Sequence, residues 1–267
     1  MEIELASVQS FSEKLFNAVE LAKDDCSNEH LHELRLKLKT VKTFCVLCEN
    51  VHPDHHRSKE LFSPFKKLFK HAGRLRDNYQ LEKKLKHYFT EDEKWIEQLK
   101  HSLHSKRHAL EEKFINRAKK FAADDAEAVL VKVAFCLNSD RAEQVKSFRL
   151  FSTEKMAVVE KMMFEGCDNT QLHFIRSQLK QIFLLHKFLR IRIDKKKIIP
   201  QIDHLQEELG TLHDSELLYE FADKNLNDNA IGENGLQKRL HALETMIEKL
   251  RIDCLKKLSL LVNISHF

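Results

Sequence analysis

Glycine and proline are scarce in this sequence, which has 5 glycines and 3 prolines among 267 residues. Tight turns depend on these two residues, so the composition excludes an all-β protein with many hairpins and a loop-rich secreted scaffold. Charged residues make up 32% of the chain, which is typical of long amphipathic helices joined by short connections. The sequence therefore predicts an all-α protein.

Long apolar runs are also missing. No segment reaches the roughly 20 apolar residues that span a bilayer, and Met1 to Leu5 lack the basic and apolar regions of a signal peptide. The 6 cysteines are scattered through a chain too large to need a disulfide framework. We therefore expect a cytoplasmic protein with reduced thiols and no membrane partner.

The segment FCVLCENVHPDHH raises the question of a metal site. Cys45 and Cys48 form a CxxC pair that is followed by His52, His55 and His56. A structural zinc ion would need four such ligands in a closed tetrahedron. Both cysteines, however, continue an apolar helical stripe, and the histidines follow in a polar segment, so we predict buried thiols and no metal or cofactor.

Positive charge is concentrated in one region of the chain. Residues 30–120 hold 22 lysines and arginines against 12 acidic residues, whereas the rest of the chain holds 23 against 29. A regional surplus of this kind attracts polyanions such as nucleic acid, anionic lipid or phosphate chains.

Two sequence boxes recur in the same order. LHELRLKLKTVKTF from Leu31 aligns with LHFIRSQLKQIFLL at a shift of 141, and LFKHAGRLRDN aligns with LQEELGTLHDS at a shift of 137. The identical pairs are Leu31/Leu172, His32/His173, Arg35/Arg176, Leu38/Leu179, Lys39/Lys180, Leu68/Leu205, Gly73/Gly210, Leu75/Leu212 and Asp77/Asp214. The chain is therefore predicted to be a tandem duplication with repeats at residues 1–122 and 123–267.

Each repeat is expected to form four helices. A helix carries HxxRxxxK, and a second helix ends at Gly73 or Gly210 with a left-handed cap. Asp77 and Asp214 then serve as N-caps of the next segment or as partners that orient an arginine. Further helices are predicted at Glu82 to His87, Asp92 to Phe121 and Leu236 to Leu261, and a new N-cap at Asp124.

Helical geometry gathers the basic residues into strips beside the apolar stripes. At about 100° per residue, each strip occupies a narrow arc of its helix. Such strips are usually solvated, but the positions that the two repeats share include basic residues as well as leucines. The strips are His32, Arg35, Lys39 and Lys42; His173, Arg176, Lys180 and Lys187; and Lys66, Lys70 and Arg74.

These boxes resemble the CHAD domain, the conserved histidine α-helical domain. The matching segments are His32 to Arg35 with Lys39 and Lys42, the AGRLRD segment ending at Asp77, His173 to Arg176 with Lys180, and the LGTLHD segment ending at Asp214. The resemblance implies two four-helix bundles with pseudo-twofold symmetry around a basic groove or pore that binds inorganic polyphosphate. It places seven residues in the groove, which are His32, Arg35, Lys39, Lys42, His173, Arg176 and Lys180, with Arg74 and Arg76 near its rim. The predicted polyphosphate site has thirteen residues and also includes Lys66, Lys70, Lys187 and His213.

The second repeat departs from the family pattern. Phe183 stands where Lys42 would recur, and Thr211 and His213 stand where Arg74 and Arg76 would recur. We therefore expect the first repeat to dominate the affinity, with His213 a weaker contributor. A CYTH domain, which accompanies some relatives, has the signature ExExK, but Glu2 and Glu4 are followed by Ala6, so a stand-alone CHAD protein is predicted.

The predicted function is the binding of inorganic polyphosphate without chemical conversion. We expect a cytoplasmic location and consider an association with polyphosphate granules. If His32 and His173 act as imidazolium ions, binding should strengthen as the pH falls through about 6.5. Lys37, on the far side of its helix, is expected to contribute little. One alternative is an RNA- or DNA-binding helical module, which would need aromatic residues among the cations. The 18 phenylalanines mostly follow the apolar stripes, so we expect the aromatic residues to lie apart from the cations. The other alternative is a phosphate-transferring or polyphosphate-hydrolysing enzyme, which would need metal-holding carboxylates. The oligomeric state is left open.

Overall fold

The computed structural model describes residues 5–89, 94–137, 141–190, 198–229 and 234–264, and all ten regular elements in these ranges are α-helices. This confirms the all-α fold. The helices are α1 (Leu5–Asp24), α2 (Asn28–Val51), α3 (Ser58–Leu61), α4 (Ser63–Tyr88), α5 (Lys94–Lys119), α6 (Ala123–Leu137), α7 (Arg141–Phe164), α8 (Asn169–Leu189), α9 (Ile198–Asn229) and α10 (Asn234–Ile264).

The two helices that carry HxxRxxxK begin at well-defined caps. The side chain of Ser27 accepts a hydrogen bond from the backbone N–H of His30 at the start of α2. Asp168 and Gln171 form a reciprocal capping box at the start of α8. These caps satisfy backbone donors that have no partner within the helix, and so they fix where each helix starts.

The long helices fall into two sets in the same order. Helices α1, α2, α4 and α5 have 20, 24, 26 and 26 residues, and α7, α8, α9 and α10 have 24, 21, 32 and 31 residues. The tandem duplication stays a prediction, and this order supports it. Helix α6 lies between the sets in the chain and packs against α1 and α2.

The two sets pack on each other through α2 against α8 and α4 against α9. Phe44 of α2 and Phe188 of α8 meet edge to face, with ring centroids 4.4 Å apart, inside one hydrophobic core that extends through both sets. A second apolar cluster joins the far ends of α4 and α5 to those of α9 and α10. Burial of these faces holds the two sets together.

The prediction that helices end at Gly73 and Gly210 is wrong. Helix α4 continues through Gly73 to Tyr88 and includes the separate helix predicted from Glu82, and α9 likewise continues through Gly210. Neither glycine has a positive φ, whereas Gly166, in the connection between α7 and α8, does at φ 90°. Asp77 and Asp214 therefore lie inside helices and are not N-caps.

The remaining helix predictions need smaller corrections. Helix α6 begins at Ala123, so Asp124 lies in its first turn and not at its N-cap. Asp92, Glu2 and Glu4 lie outside the described residues, as does the side chain of Trp95. Within the described ranges, no helix is long and apolar enough to cross a membrane.

Candidate functional site

A cavity of about 1030 Å³ lies where α2 faces α8, with α1, α4, α7 and α9 completing its wall, and we call it the α2–α8 cavity. Ten of its lining side chains are basic and four are acidic. The basic residues are Lys14, His32, Arg35, Lys37, Lys39, Arg76, Arg176, Lys180, Lys187 and Arg190, and the acidic residues are Glu33, Asp203, Glu207 and Asp214.

Seven of the thirteen predicted site residues line this cavity: His32, Arg35, Lys39, Arg76, Arg176, Lys180 and Lys187. His173 and His213 do not line it, but their charges interact with those of Arg176 and Lys39. Lys42, Lys66, Lys70 and Arg74 do not line it either.

Arg35 lies across the backbone of α4 at Gly73. Its Nη1 atom donates to the carbonyl oxygen of Phe69 at 3.5 Å, and its guanidinium stands over the Phe69 ring with its carbon 5.0 Å from the centroid. A Cβ atom on residue 73 would collide with Nη1 of Arg35. Glycine therefore gives Arg35 the clearance for this close approach and does not serve a turn.

Arg176 repeats the same arrangement at Gly210 of α9. Its Nε atom donates to the carbonyl oxygen of Gln206 at 3.2 Å, and a Cβ atom on residue 210 would lie 2.6 Å from Nη2. Phe69 and Gln206 each precede their glycine by one helical turn. The HxxR box and the box that contains Gly73 or Gly210 are thus joined in space in both sets, because each arginine of the first box occupies the gap left by the glycine of the second.

Lys39 stands at the centre of a cationic cluster drawn from both helix sets. Burial, followed by the charges of Arg35, Arg176, Arg76 and Lys180 in that order, lowers its pKa to about 7. We call these five residues the cationic cluster. Like charges held this close repel one another, so an anion that enters the cavity relieves an existing strain on the folded protein.

The histidines beside the cluster resist protonation. Burial, followed by the charges of Arg76 and Lys39, lowers the pKa of His32. Burial, with His213 and Arg176 next, lowers the pKa of His173 to about 4, and the rings of His173 and His213 lie 4.4 Å apart. Both His32 and His173 keep exposed surface, so water and anions reach them. The histidines of the free protein are therefore expected to gain protons only at pH values below 6.5, and the predicted increase in binding moves to lower pH with them.

The acidic residues near the cluster flank its arginines. Asp77 keeps exposed surface, but its crowded surroundings raise its pKa through desolvation, against the opposing charges of Arg35 and Arg76. Burial lowers the pKa of Arg176, and the negative charge of Asp214 opposes this lowering. These charge interactions favour the role of arginine partner over that of N-cap.

The predicted residues outside the cavity lie on other surfaces. Lys42 is exposed farther along α2, where its charge acts on Lys155 of α7. Lys70 and Arg74 are exposed on the side of α4 where their charges act on His71 together with Lys113 of α5. The strip on α4 is therefore not a wall of this cavity.

Several lining residues were not predicted. Lys14 comes from α1, whose position depends on tertiary packing that no motif indicates, and Arg190 forms the left-handed C-cap of α8 at φ 49°. Lys37 was expected on the far side of α2, but it lines the cavity and pairs with Glu33 at 2.7 Å. The cavity is wider than the basic strip alone indicates, because α1 lies beside α2.

The CxxC pair faces the core. Cys45 and Cys48 are fully buried, and burial raises the pKa of Cys45 to about 12. Cys136 of α6 lies against Cys48. Among the described residues, no group of three or more histidine, cysteine or acidic side chains is arranged to hold a metal ion.

Comparisons with known proteins agree with this arrangement. The family model of the CHAD domain matches residues 6–223. A solved structure, the crystal structure of the CHAD domain from the plant Ricinus communis, superposes with a TM-score of 0.72 at 16% identity and covers 98% of this chain and 93% of that chain. At this identity the likeness shows the fold alone, and no curated protein matches. The family model spans most of the sequence and includes both HxxRxxxK helices and both glycine boxes, so the chain belongs to the CHAD domain family.

Proposed function

We propose that the α2–α8 cavity binds inorganic polyphosphate without chemical conversion. The observation that carries the proposal is the convergence of Lys39 with Arg35, Arg76, Arg176 and Lys180, which brings cations from both helix sets together. A chain of phosphates carries about one negative charge per unit and could contact several of these cations at once. Each contact releases counterions, so binding should weaken steeply with salt.

The mixture of cations suits a repetitive anion. Arginine presents a planar fork that bonds two phosphate oxygens, whereas lysine provides a point charge that tolerates different positions of the chain. Asp77 and Asp214 balance part of the charge of Arg35 and Arg176 in this proposal. The duplicated arrangement of Arg35 on Gly73 and Arg176 on Gly210 supports a ligand that passes between the two sets.

Single-stranded RNA is the second candidate, and one observation favours it. Phe11, Phe183 and Phe188 contribute to the cavity wall, and Nζ of Lys180 lies 5.1 Å from the centroid of the Phe183 ring. The sequence was expected to keep its aromatic residues apart from the cations, and these three rings depart from that expectation. Partly accessible rings beside cations are the arrangement on which bases stack.

A competition experiment separates the two ligands. The purified protein is loaded with fluorescent single-stranded RNA at physiological salt, and long-chain polyphosphate is added at matched phosphate concentration. We expect polyphosphate to displace the RNA, because the cluster provides charge and few stacking surfaces. Retention of RNA at this matched concentration of polyphosphate would contradict the proposed ligand.

A further inference from the structure

A second group of cations lies on α4 and α5, outside the α2–α8 cavity. It consists of Lys70, His71 and Arg74 on α4 and Lys113 and Arg117 on α5, and we call it the α4–α5 patch. Lys70, Arg74 and Lys113 are exposed, and the other two are half-buried. The two helices pack closely along their length.

The cations of the α4–α5 patch lack the acidic partners that some other cations of this helix pair have among the described residues. Elsewhere Arg107 and Lys86 pair with Glu82 across and along the helices. Among the described residues, no carboxylate pairs with Lys70, Arg74, Lys113 or Arg117, and Nε of Arg117 is buried without a hydrogen-bond partner. Cations at this spacing repel one another, and their own surroundings leave the repulsion uncompensated.

Lys70 and Arg74 are four residues apart on α4, and Lys113 and Arg117 are four residues apart on α5, so each pair shares one face of its helix. The two helices pack together, and the surroundings of His71 indicate that these faces adjoin. After burial, the influences that lower the pKa of His71 are the charges of Arg74, Arg117, Lys70 and Lys113, in that order. All four charges are positive and come from both helices. The α4–α5 patch is therefore a continuous concentration of charge and not a set of separate solvated lysines.

The composition of this surface indicates the class of ligand. In the described parts of α4 and α5, no large hydrophobic side chain is among the exposed ones. Membrane insertion and base stacking both need such side chains, whereas a bare phosphate chain needs charge alone. Charge without apolar surface favours inorganic phosphate groups.

We infer that the α4–α5 patch is a second binding site for the phosphate groups of inorganic polyphosphate, separate from the α2–α8 cavity. The inference rests on the proposed function for the identity of the ligand, but not for the location of the site. One protein molecule then holds two segments of polyphosphate. When both segments belong to one long chain, the second contact forms at high effective concentration and strengthens binding.

Calorimetric titration with tripolyphosphate, which is too short to span two sites, tests this inference. The patch variant combines Lys70→Ala, Arg74→Ala and Lys113→Ala, and the cavity variant combines Lys39→Met and Lys180→Met. A control variant, Lys132→Ala with Lys146→Ala and Lys161→Ala, removes three exposed charges from α6 and α7. The wild type and the control should each bind two tripolyphosphate molecules, and each site variant should bind one.

The outcomes distinguish this inference from the proposed function. Two bound molecules in the patch variant would overturn the patch site, whatever happens in the cavity. One bound molecule in the patch variant and two in the cavity variant would overturn the proposed cavity function and support the patch. Long-chain polyphosphate should bind the patch variant at least about tenfold more weakly than the control. If RNA or phosphoinositide vesicles bind through the patch and tripolyphosphate does not compete, the inferred ligand is wrong.

Discussion

The guanidinium of Arg35 occupies the space that a side chain on residue 73 would need, and Arg176 does the same at residue 210. A glycine inside a helix costs about 1 kcal/mol relative to alanine. Two such glycines at equivalent places therefore indicate that the arginine positions matter more than local helix stability. The atoms that a new Cβ would meet belong to the flexible end of each arginine, so the fold can accept a substitution by moving the arginine.

Gly73→Ala should accordingly separate stability from binding. We expect the thermal unfolding midpoint to stay the same or rise, because helix propensity improves. Polyphosphate affinity should fall by about tenfold, the equivalent of one charge-assisted hydrogen bond. Calorimetry and thermal unfolding measure the two effects on the same sample.

Gly166→Ala is the matched control for this substitution. Gly166 has φ 90° and no neighbouring atom near its missing Cβ. Alanine there should lower stability by about 1 kcal/mol and leave the affinity unchanged. A Gly73→Ala protein that binds polyphosphate as well as the wild type would show that the position of Arg35 does not matter for binding.

The pKa of Lys39 predicts how polyphosphate affinity changes with pH. Its pKa in the free protein is about 7, and a bound polyanion raises that pKa towards the ordinary lysine value. Binding therefore takes up a proton when the pH lies between the pKa of Lys39 in the free protein and its pKa in the complex. The added affinity is fully present below the pKa of the free protein and is lost as the pH rises through the pKa of the complex. Affinity should increase as the pH falls from about 9 to 7.

Lys39→Arg is the control for this pH effect, since arginine stays charged over the whole range. Affinity of this variant should be nearly constant between pH 7 and 9 when measured by fluorescence anisotropy with labelled polyphosphate. Identical pH profiles for the wild type and the variant would exclude Lys39 as the titrating group.

At the scale of the helix, the sequence was sufficient to predict which face of α2 is buried, but not how the neighbouring helices are arranged around it. The apolar stripe of Leu31, Leu34 and Leu38 is fully buried, as its spacing indicates. The sequence could not predict that the side chains of Lys14 and Lys37 line the α2–α8 cavity, because this depends on α1 lying beside α2. The sequence also could not predict that α4 continues through Gly73. A glycine that makes room for a neighbouring side chain and a glycine that ends a helix look alike in sequence.

Lys42 tests how far the site extends along α2. It belongs to the same basic strip as Lys39, but it is exposed outside the α2–α8 cavity, near Lys155. Lys42→Ala should change polyphosphate affinity by less than about twofold, whereas Lys39→Ala should weaken it by about tenfold. Equal effects of the two substitutions in calorimetry would mean that the ligand follows the strip and not the cavity.

For the whole molecule, the regional charge surplus was visible in the sequence, but its division into two surfaces was not. Residues 30–120 supply Arg35, Lys39 and Arg76 to the α2–α8 cavity and Lys70 and Arg74 to the α4–α5 patch. The sequence prediction assigned all of these residues to polyphosphate binding and did not separate the two surfaces. Only the packing of α4 against α5 shows which side chains share a surface.

Packed cations should also make the free protein less stable than its complex. A ligand that binds only the folded state at about 100 times its Kd adds about 2.7 kcal/mol of stability. We therefore expect long-chain polyphosphate to raise the unfolding midpoint by several degrees, and monovalent salt at equal ionic strength to raise it less. An unchanged midpoint with saturating polyphosphate in differential scanning calorimetry would contradict specific binding to the folded state.

The most direct test of the central claim is a titration of Lys39→Met/Lys180→Met with long-chain polyphosphate at two salt concentrations. The comparison is Lys42→Met/Lys132→Met, which removes the same charge from exposed positions outside the cavity. We predict that the cavity variant loses about 100-fold in affinity and that its salt dependence falls by about 1 to 2 units of slope, while the comparison stays close to the wild type. Equal affinity and equal salt dependence in the two variants would contradict the binding of polyphosphate in the α2–α8 cavity.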